Sequence, residues 1–345
     1  MSKEQAKQID NSPVNPVFIV GAPRSGTSLL RVLLNRHPAF GLCDETYFFY
    51  YVYHRQNIFG DLQNLQNRRV LIERYSETRR IRGLDVDLDA LKQHLLEEAT
   101  DYQNFFIALL KFFAKTKGKK RYGEKTPHHA FEAETLCRIY PQCRLIHLVR
   151  DPRDVVESLM RMPWGSPSIA ANTRLWVKSV KAAELCKDEE NFLRVKYEML
   201  VNNPEVELRR ICKFLSEPFD EQMLAAATEE KKGLHPWFQR AQKPVNTNRI
   251  EKWRDALTAR QIAIVERIAG ETMRTMGYSP TDAVLSSTRH TAALAHEAFA
   301  AVNSRIMKLP RIWYHWIQPK QLAAEEAWID NVDSKSKRSD ANIAG

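Results

Sequence analysis

Short apolar runs and longer stretches with a helical period alternate along this chain. The runs at 17–20, 144–150 and 192–197 are nearly continuous, which is typical of strands buried in a parallel sheet. Apolar residues with the spacing of one helix face occur at 29–34, 88–95, 105–113, 127–140, 152–160, 173–186 and 204–215. Strands that alternate with helices predict an α/β fold whose parallel sheet is covered on both faces. Ligands of such folds bind beyond the carboxyl ends of the strands.

The same pattern divides the chain into segments. The polar residues 1–14 predict a flexible arm, and residues 15–280 predict one domain with a helical cap inserted at 46–118. Within this cap, the aromatic run Tyr47–Tyr53 is expected to pack mostly in the core. Residues 54–87 are polar and rich in Arg, and they carry no motif that assigns them a role.

Residues 281–345 depart from this alternation and predict a helical extension followed by a disordered tail. The segment Ile306–Ile317 mixes cations with Trp313 and Trp316, as a helix at a membrane interface does. Pro310 interrupts the segment, and packing against the domain or against a second subunit of a homodimer fits the same pattern. Peripheral membrane contact and dimerisation therefore both stay open.

Composition narrows the class of protein without choosing a ligand. Hydrophobic residues make up 43% of the 345 residues, enough for a substantial core, and the net charge of +10 favours a polyanionic partner such as a nucleotide, a nucleic acid or a membrane surface. The first dozen residues contain no apolar signal segment, and no run reaches the ~18 apolar residues of a membrane span. The five cysteines include no C-x-x-C pair, so we expect reduced thiols, a cytoplasmic location and no metal site.

The stretch Gly21–Ser28 is the strongest local motif. It lies between an apolar run and a helical segment, an order that directs backbone N–H groups and the positive end of a helix dipole at one anion. Its spacing matches G-x-x-x-x-G-K-[ST], but Thr27 replaces the Lys that contacts the β- and γ-phosphates of a nucleoside triphosphate. The turn itself contains a different cation, Arg24. We therefore expect a phosphate-like group, not that of ATP, to bind Arg24, Ser25, Gly26, Thr27 and Ser28.

A second anion site is predicted where the next buried strand ends. Arg150 closes this strand, and Ser158 lies about two turns into the helix that Asp151 and Pro152 begin. A helix rises ~1.5 Å per residue, so Ser158 is within reach of a group held by the long Arg150 side chain. An Arg fork and a Ser hydroxyl together suit a phosphate. Two motifs of this kind indicate two separate anions on one ligand.

These motifs resemble those of the sulfotransferases that use 3′-phosphoadenosine 5′-phosphosulfate (PAPS). Pro23–Ser28 is similar to the family's 5′-phosphosulfate loop, and Leu148–Ser158 to its 3′-phosphate motif. Lys196–Leu200 is similar to an element whose tyrosine, here Tyr197, lies near the adenine, although Met199 replaces the usual Asp. The resemblance covers roughly residues 15–255 and implies a P-loop-like three-layer sandwich, PAPS as sulfuryl donor and no metal. It also implies that Arg249 contributes to binding the 3′-phosphate.

The resemblance also implies which residues take part in the transfer. Charge grows on the leaving oxygen in the transition state, so donors fixed there contribute most, and Arg24 and Lys125 are the candidates. Lys125 lies in Glu124–Pro127, similar to a family segment between the two phosphate motifs. Glu45 is the candidate base, because tyrosylprotein sulfotransferases have a similar Glu-Thr after their loop arginine. General base catalysis accelerates a reaction roughly 10²- to 10⁴-fold.

Other bases remain open. Asp44 is the immediate neighbour of Glu45, and the cytosolic small-molecule sulfotransferases use a histidine, which makes His128 and His129 rivals. His147 lies in the middle of a predicted strand, so we expect it to be a core residue.

Two other functions fit the sequence less well than sulfuryl transfer. A P-loop kinase or NTPase would need a Lys in the loop and an acidic Mg²⁺ ligand at the end of the second strand. This chain has no such Lys, and its strand at 144–150 ends in Arg150. A nucleic-acid-binding protein fits the basic composition but leaves both anion motifs unexplained. We therefore expect an enzyme whose partner is an acceptor with a hydroxyl or amine, whether sugar, lipid, phenol or peptide, and not a nucleic acid.

Overall fold

A five-stranded, all-parallel sheet forms the centre of the fold. The computed structural model describes residues 15–225 and 247–281, and its strands are β1 Val17–Val20, β2 Phe40–Cys43, β3 Arg121–Lys125, β4 Arg144–Val149 and β5 Phe192–Lys196. Their order across the sheet is β2-β3-β1-β4-β5. This confirms the predicted α/β class. The predicted arm 1–14 and residues 282–345 of the predicted extension, including Ile306–Ile317, lie outside the described residues.

Alternate residues of β1 enter two different parts of the core. Val17 and Ile19 pack in a cluster with Leu30 and Leu33 of the first helix, whereas Phe18 and Val20 pack on the opposite face of the sheet. Such alternation follows from the two-residue period of a strand. Because β1 is buried on both faces, the position of its carboxyl end is fixed by the core. The loop that follows β1 therefore begins at a rigid point.

Six helices occupy the connection between β2 and β3, which contains the predicted cap at 46–118. They are α2 Phe48–Tyr51, α3 Gln56–Phe59, α4 Leu65–Glu77, α5 Arg79–Arg82, α6 Leu88–Glu98 and α7 Tyr102–Thr116. The aromatic run packs in the core as expected: the rings of Phe48 and Phe106 stack with centroids 4.2 Å apart. The Arg-rich residues 54–87, which the sequence left without a role, form α3 to α5.

The other described helices flank the sheet. They are α1 Thr27–Arg36, α8 Ala133–Ile139, α9 Pro152–Met160, α10 Ile169–Ala183, α11 Tyr197–Asn202, α12 Pro204–Phe214, α13 Trp253–Ala256 and α14 Ala259–Thr275. The helix predicted over 127–140 begins instead as a 3₁₀ turn, Pro127–Glu132. Among the residues described, no helix is both long and apolar enough to cross a membrane.

Apolar runs predicted β1, β4 and β5 but neither β2 nor β3, and β3 departs furthest from that pattern. Its sequence contains a single large apolar residue, Tyr122, yet all five of its residues are buried. Glu124 and Lys125 are buried at its carboxyl end because other polar side chains pair with them. The strand lies between β2 and β1, so its end adjoins the loop after β1.

Candidate active site

The turn after β1 presents an uncapped helix N-terminus. Gly26 is the N-cap of α1 with φ +98°, no side chain caps the helix, and its first turn contains no acidic residue. The first backbone N–H groups of a helix have no partner within the helix, and together with the helix dipole they attract an anion. In this turn Ser25 and Thr27 are buried and Ser28 is half-buried. The predicted phosphate loop therefore has the backbone geometry that an anion requires.

Gly26 is also fixed by its contact with Tyr197. A Cβ at Gly26 would lie 2.5 Å from Tyr197 Cδ2, closer than side chains approach one another. Tyr197 is the first residue of α11, directly after β5, and its ring is buried. The predicted adenine-side tyrosine therefore packs against the phosphate loop.

The two predicted anion sites meet in the structure. Arg24 has φ +74° and donates a hydrogen bond from Nε to Ser158 Oγ at 3.1 Å. Arg150 donates from Nη1 to the backbone oxygen of Arg24 at 3.1 Å, and its guanidinium lies over the Tyr197 ring, 4.5 Å from the centroid. Since β1 and β4 are neighbours in the sheet, residues that follow each of them are brought together. One ligand with two anionic groups could contact both motifs.

Arg249 approaches the same site through its backbone. Arg150 Nη2 donates to the carbonyl oxygen of Arg249, and Asp154 accepts from the backbone N–H groups of Glu251 and Trp253, each at 3.0 Å. Burial raises the pKa of Asp154 to about 6, although the nearby Arg150 opposes the rise. These bonds attach residues 249–253 to the start of α9.

Two buried polar atoms at this site lack a hydrogen-bond partner within the described chain. They are Ser25 Oγ in the loop and Arg150 Nε. Buried polar atoms without a partner are rare and call for an explanation. Donors of this kind beside a helix N-terminus fit phosphate or sulfate oxygens. The residues present therefore suit a ligand with phosphate-like groups.

The predicted catalytic residues form a second cluster beside the loop. Lys125, at the end of β3, is fully buried and contacts Glu45 Oε1 and Asp44 Oδ1, each at 2.7 Å. Arg80 of α5 contacts Glu45 Oε2 at 3.3 Å, and Arg31 of α1 contacts Asp44 Oδ2 at 3.1 Å. The backbone N–H of Gly21 donates to the Pro127 oxygen at 3.3 Å and so joins the loop to the segment after β3.

These cations determine the charge of both carboxylates. Burial alone would raise the pKa of Glu45, but Lys125 and Arg80 outweigh it, so the pKa lies below its ordinary value. The pKa of Asp44 is also lowered, because Arg31 and Lys125 outweigh the effect of burial. Both side chains are therefore ionised near neutral pH. The Glu45 side chain is 14% exposed and that of Asp44 31%.

The candidate histidines lie in different surroundings. His128 is half-buried near the Tyr47 hydroxyl, and burial lowers its pKa to about 4 despite the nearby Glu45. His129 is buried, pairs with Glu124 and meets the Phe49 ring edge-on at 4.9 Å. His147 is buried in β4 and pairs with Glu184, a core position as expected.

Glu124 is a buried residue of this site that the sequence did not single out. Its Oε2 accepts from the Thr46 hydroxyl at 2.5 Å and from the Thr126 hydroxyl at 3.1 Å. Thr46 follows Glu45, and Thr126 follows Lys125. The carboxylate therefore joins the two segments that carry the candidate base and the candidate cation. Its place beside Lys125 in the sequence was the only available signal.

Fold and site together define an α/β protein whose strands end, on their carboxyl side, at a site suited to an anionic ligand, with a carboxylate and a lysine beside it. A model of the sulfotransferase family matches residues 16–221, and the chain belongs to that family. Family and fold together make it a sulfotransferase. Within the described residues, no group of three or more His, Cys, Asp and Glu side chains could hold a metal ion.

Individual relatives agree with this assignment. Protein-tyrosine sulfotransferase A of Caenorhabditis elegans is 24% identical over 277 residues, which span 76% of this chain and 67% of that protein. The sulfotransferase domain of the Synechococcus PCC 7002 olefin synthase is 25% identical with a TM-score of 0.53, over 77% of this chain and 98% of that domain. The sulfotransferase domain from the curacin biosynthetic pathway has the same fold, with 20% identity and a TM-score of 0.51 over 78% and 99% of the two chains. These findings favour the sulfotransferase function over the phosphotransferase and nucleic-acid alternatives.

Proposed function

We propose that this sulfotransferase uses PAPS as its donor and transfers the sulfuryl group in line to a hydroxyl or amine. The observation that carries the proposal is the direct contact between the two anion motifs, through Arg24, Ser158 and Arg150. A donor with a 5′-phosphosulfate and a 3′-phosphate has two anionic groups for two adjoining sites. The Gly21–Ser28 loop holds the first group, and Arg150 and Ser158 hold the second. Tyr197 borders the nucleotide, and Arg249 adds to the 3′-phosphate side.

Each residue near the transferred group has a distinct task in this proposal. PAPS supplies a sulfuryl group already activated for transfer, with a bisphosphate as leaving group. Arg24 and the first N–H groups of α1 oppose the negative charge that grows on the leaving oxygen. Lys125 adds a second positive charge at the same place, since it is buried beside the loop. Fixed charges in such a site need no reorganisation during the reaction.

Glu45 is the proposed base that removes the proton from the acceptor. It is ionised, partly exposed and held by Lys125. Asp44 is the alternative base, because its two oxygens are paired with Arg31 and Lys125 much as those of Glu45 are paired with Arg80 and Lys125. His129 is a packing residue tied to Glu124, and the lowered pKa of His128 leaves it neutral and a weak base. The relatives named protein-tyrosine sulfotransferases support a hydroxyl acceptor.

The donor is tested by binding. Adenosine 3′,5′-bisphosphate should raise the Tm of the wild-type protein, and adenosine 5′-monophosphate should raise it much less, because it lacks the 3′-phosphate. Replacing Arg150→Gln should remove most of the difference between the two nucleotides. Lys178→Gln on α10 is the control for loss of one positive charge. If the bisphosphate gives no shift with wild-type protein, the assignment of PAPS is wrong.

The transfer is tested with ³⁵S-labelled PAPS and a panel that contains a tyrosine peptide, a phenol, a sugar, a long-chain alcohol and an amine. Glu45→Gln should lower kcat roughly 10²- to 10⁴-fold on any acceptor that is labelled while it still binds the bisphosphate. Asp44→Asn should have a smaller effect. Full activity of Glu45→Gln would exclude Glu45 as the base.

A further inference from the structure

Arg80 reaches the candidate base from the cap. Its Nη1 lies 3.3 Å from Glu45 Oε2, and its guanidinium lies over the Tyr47 ring, 4.1 Å from the centroid. Stacking on an aromatic face restricts a guanidinium to one orientation and is itself favourable. The Arg80 side chain is therefore held from two sides, by the carboxylate and by the ring.

The short helix that carries Arg80 is anchored independently of Glu45. Thr78 caps α5, since its hydroxyl accepts from the Ile81 N–H at 3.4 Å and donates to the Tyr75 oxygen at 2.7 Å. Ile81 is 1% exposed and belongs to the main core cluster. Tyr75 in turn donates from its hydroxyl to the backbone oxygen of Thr46, next to the base, at 3.1 Å. A position fixed by the core is suited to orient another side chain.

The two oxygens of Glu45 are held by cations from different parts of the fold. Lys125 of β3 contacts Oε1 at 2.7 Å, whereas Arg80 of α5 contacts Oε2. Lys125 also contacts Asp44 and, in the proposed function, faces the transferred group. Lys125 therefore does not serve to position Glu45 alone. Arg80 holds the opposite oxygen, so it can keep the carboxylate in place while Lys125 serves the donor.

We propose that Arg80 is a positioning residue, which holds the Glu45 carboxylate in the orientation that proton removal from the acceptor requires. The inference rests on the proposed function, since it assigns a task to a neighbour of the proposed base. It also gives the cap a role in the reaction, because a cap residue completes the active site. Small errors in the placement of a base are costly, and ~1 Å reduces a rate by about 10²-fold.

The surroundings of Glu45 give the expected direction of a pH effect. The titratable or charged groups that face it are Lys125, Arg80, Asp44, Tyr47 and His128. Arg80 is one of the two cations that lower the pKa of Glu45. Removing its charge should therefore raise that pKa, and the acid limb of the kcat profile should move to higher pH. A lysine at this position keeps the charge but not the stacked, planar contact.

Three variants separate these effects. Arg80→Gln removes charge and contact, Arg80→Lys keeps the charge, and Arg82→Gln removes an exposed charge from the same helix. Glu carboxyl groups labelled with ¹³C are titrated by NMR in each protein, and the Glu45 signal is identified by its loss in Glu45→Gln. We expect the Glu45 pKa to rise in Arg80→Gln and to stay near the wild-type value in Arg80→Lys and Arg82→Gln.

Kinetics on an acceptor labelled with ³⁵S-PAPS provide the second measurement. Arg80→Gln and Arg80→Lys should lower kcat about 10- to 100-fold at the pH plateau, with KM for PAPS changed by less than about twofold. Arg82→Gln should behave as wild type. An unchanged Glu45 titration in folded Arg80→Gln, or an unchanged kcat, would overturn the inference. Absence of bisphosphate binding in the wild type would instead overturn the proposed function, so the two failures are distinct.

Discussion

Arg24 donates a hydrogen bond from Nε to Ser158 Oγ at 3.1 Å, which joins two motifs 134 residues apart in the chain. The contact exists because β4 lies directly beside β1, so the turn after one strand meets the helix after the other. A ligand group held by Ser158 is therefore adjacent to the cation of the phosphate loop. The two predicted anion sites therefore adjoin each other and form one continuous site.

Ser158→Ala tests this relationship. Loss of the hydroxyl removes a donor for the 3′-phosphate and leaves Arg24 without this contact. We expect the affinity for adenosine 3′,5′-bisphosphate to fall about 10- to 100-fold, since a hydrogen bond to a charged group contributes about 1.5–3 kcal/mol. Affinity for adenosine 5′-monophosphate should change much less. Isothermal titration calorimetry with both nucleotides measures the difference.

Ser179→Ala is the matched control, because Ser179 is a buried helix serine of α10. It should leave both affinities unchanged. An equal loss for the two nucleotides in Ser158→Ala would place the effect on the loop and not on the 3′-phosphate.

Gly26→Ala tests the contact between the loop and Tyr197. A methyl group there would lie 2.5 Å from Tyr197 Cδ2, and φ is +98°, so both the clash and the backbone oppose it. We expect a lower Tm and a loss of bisphosphate binding of at least tenfold. Thermal unfolding and calorimetry measure the two effects.

Gly118→Ala provides the comparison, because Gly118 also has positive φ (+65°) but no atom lies within 4 Å of its added Cβ. It should lower the Tm by the backbone effect alone and leave binding intact. If the two variants lose the same stability and both bind the bisphosphate, the Tyr197 contact has no role in the loop.

The sequence was sufficient for the fold class and for the parts of the site that follow regular motifs. Apolar runs predicted three of the five described strands, β1, β4 and β5, and the spacing around Gly26 and Arg150 predicted two anion sites at one sheet edge. These features depend on local order in the chain, which a sequence displays directly. The contact between Arg24 and Ser158 followed once β4 was placed next to β1.

Arg80, Glu124 and strand β3 could not be predicted in the same way. Arg80 lies in a polar stretch without a motif, and it reaches Glu45, 35 residues away, only in the folded chain. Glu124 and Lys125 are polar residues of a buried strand, and their burial depends on partners 78 and 80 residues away. Apolar patterning does not report such pairs, because the stabilising partner is distant in the chain.

Glu124→Gln tests the role of the buried carboxylate that joins the two catalytic segments. The carboxylate accepts from Thr46 and Thr126 through Oε2 and pairs with His129 through Oε1, so an amide that keeps the first two contacts loses the negative charge and presents an N–H donor to His129. We expect the free energy of unfolding to fall by about 1–3 kcal/mol and kcat to fall with little change in KM for PAPS. Urea unfolding and steady-state kinetics measure the two effects. Wild-type kcat with reduced stability would show that Glu124 is structural only.

Glu184→Gln tests a pH dependence that is separate from catalysis. Glu184 contacts His147 Nδ1 at 2.9 Å and also pairs with Arg194. Burial alone would raise the pKa of Glu184, but hydrogen bonds from His147 and Arg194 outweigh it and lower the pKa from 4.5 to about 2. A carboxyl group with a lowered folded-state pKa stabilises the protein above pH 4.5, and this contribution is lost as the pH falls toward 2.

The Tm of Glu184→Gln should therefore be about 4–8 °C below that of the wild type at pH 7, and the gap should narrow at pH 2.5. Glu205→Gln is the control, since Glu205 forms an exposed pair with Arg209 in which both side chains are about half exposed. Exposed pairs contribute only about 0–1 kcal/mol, so this variant should show little change at either pH. A Tm gap for Glu184→Gln that stays constant from pH 7 to 2.5 would mean that the ionised carboxylate is not what stabilises the fold at this position.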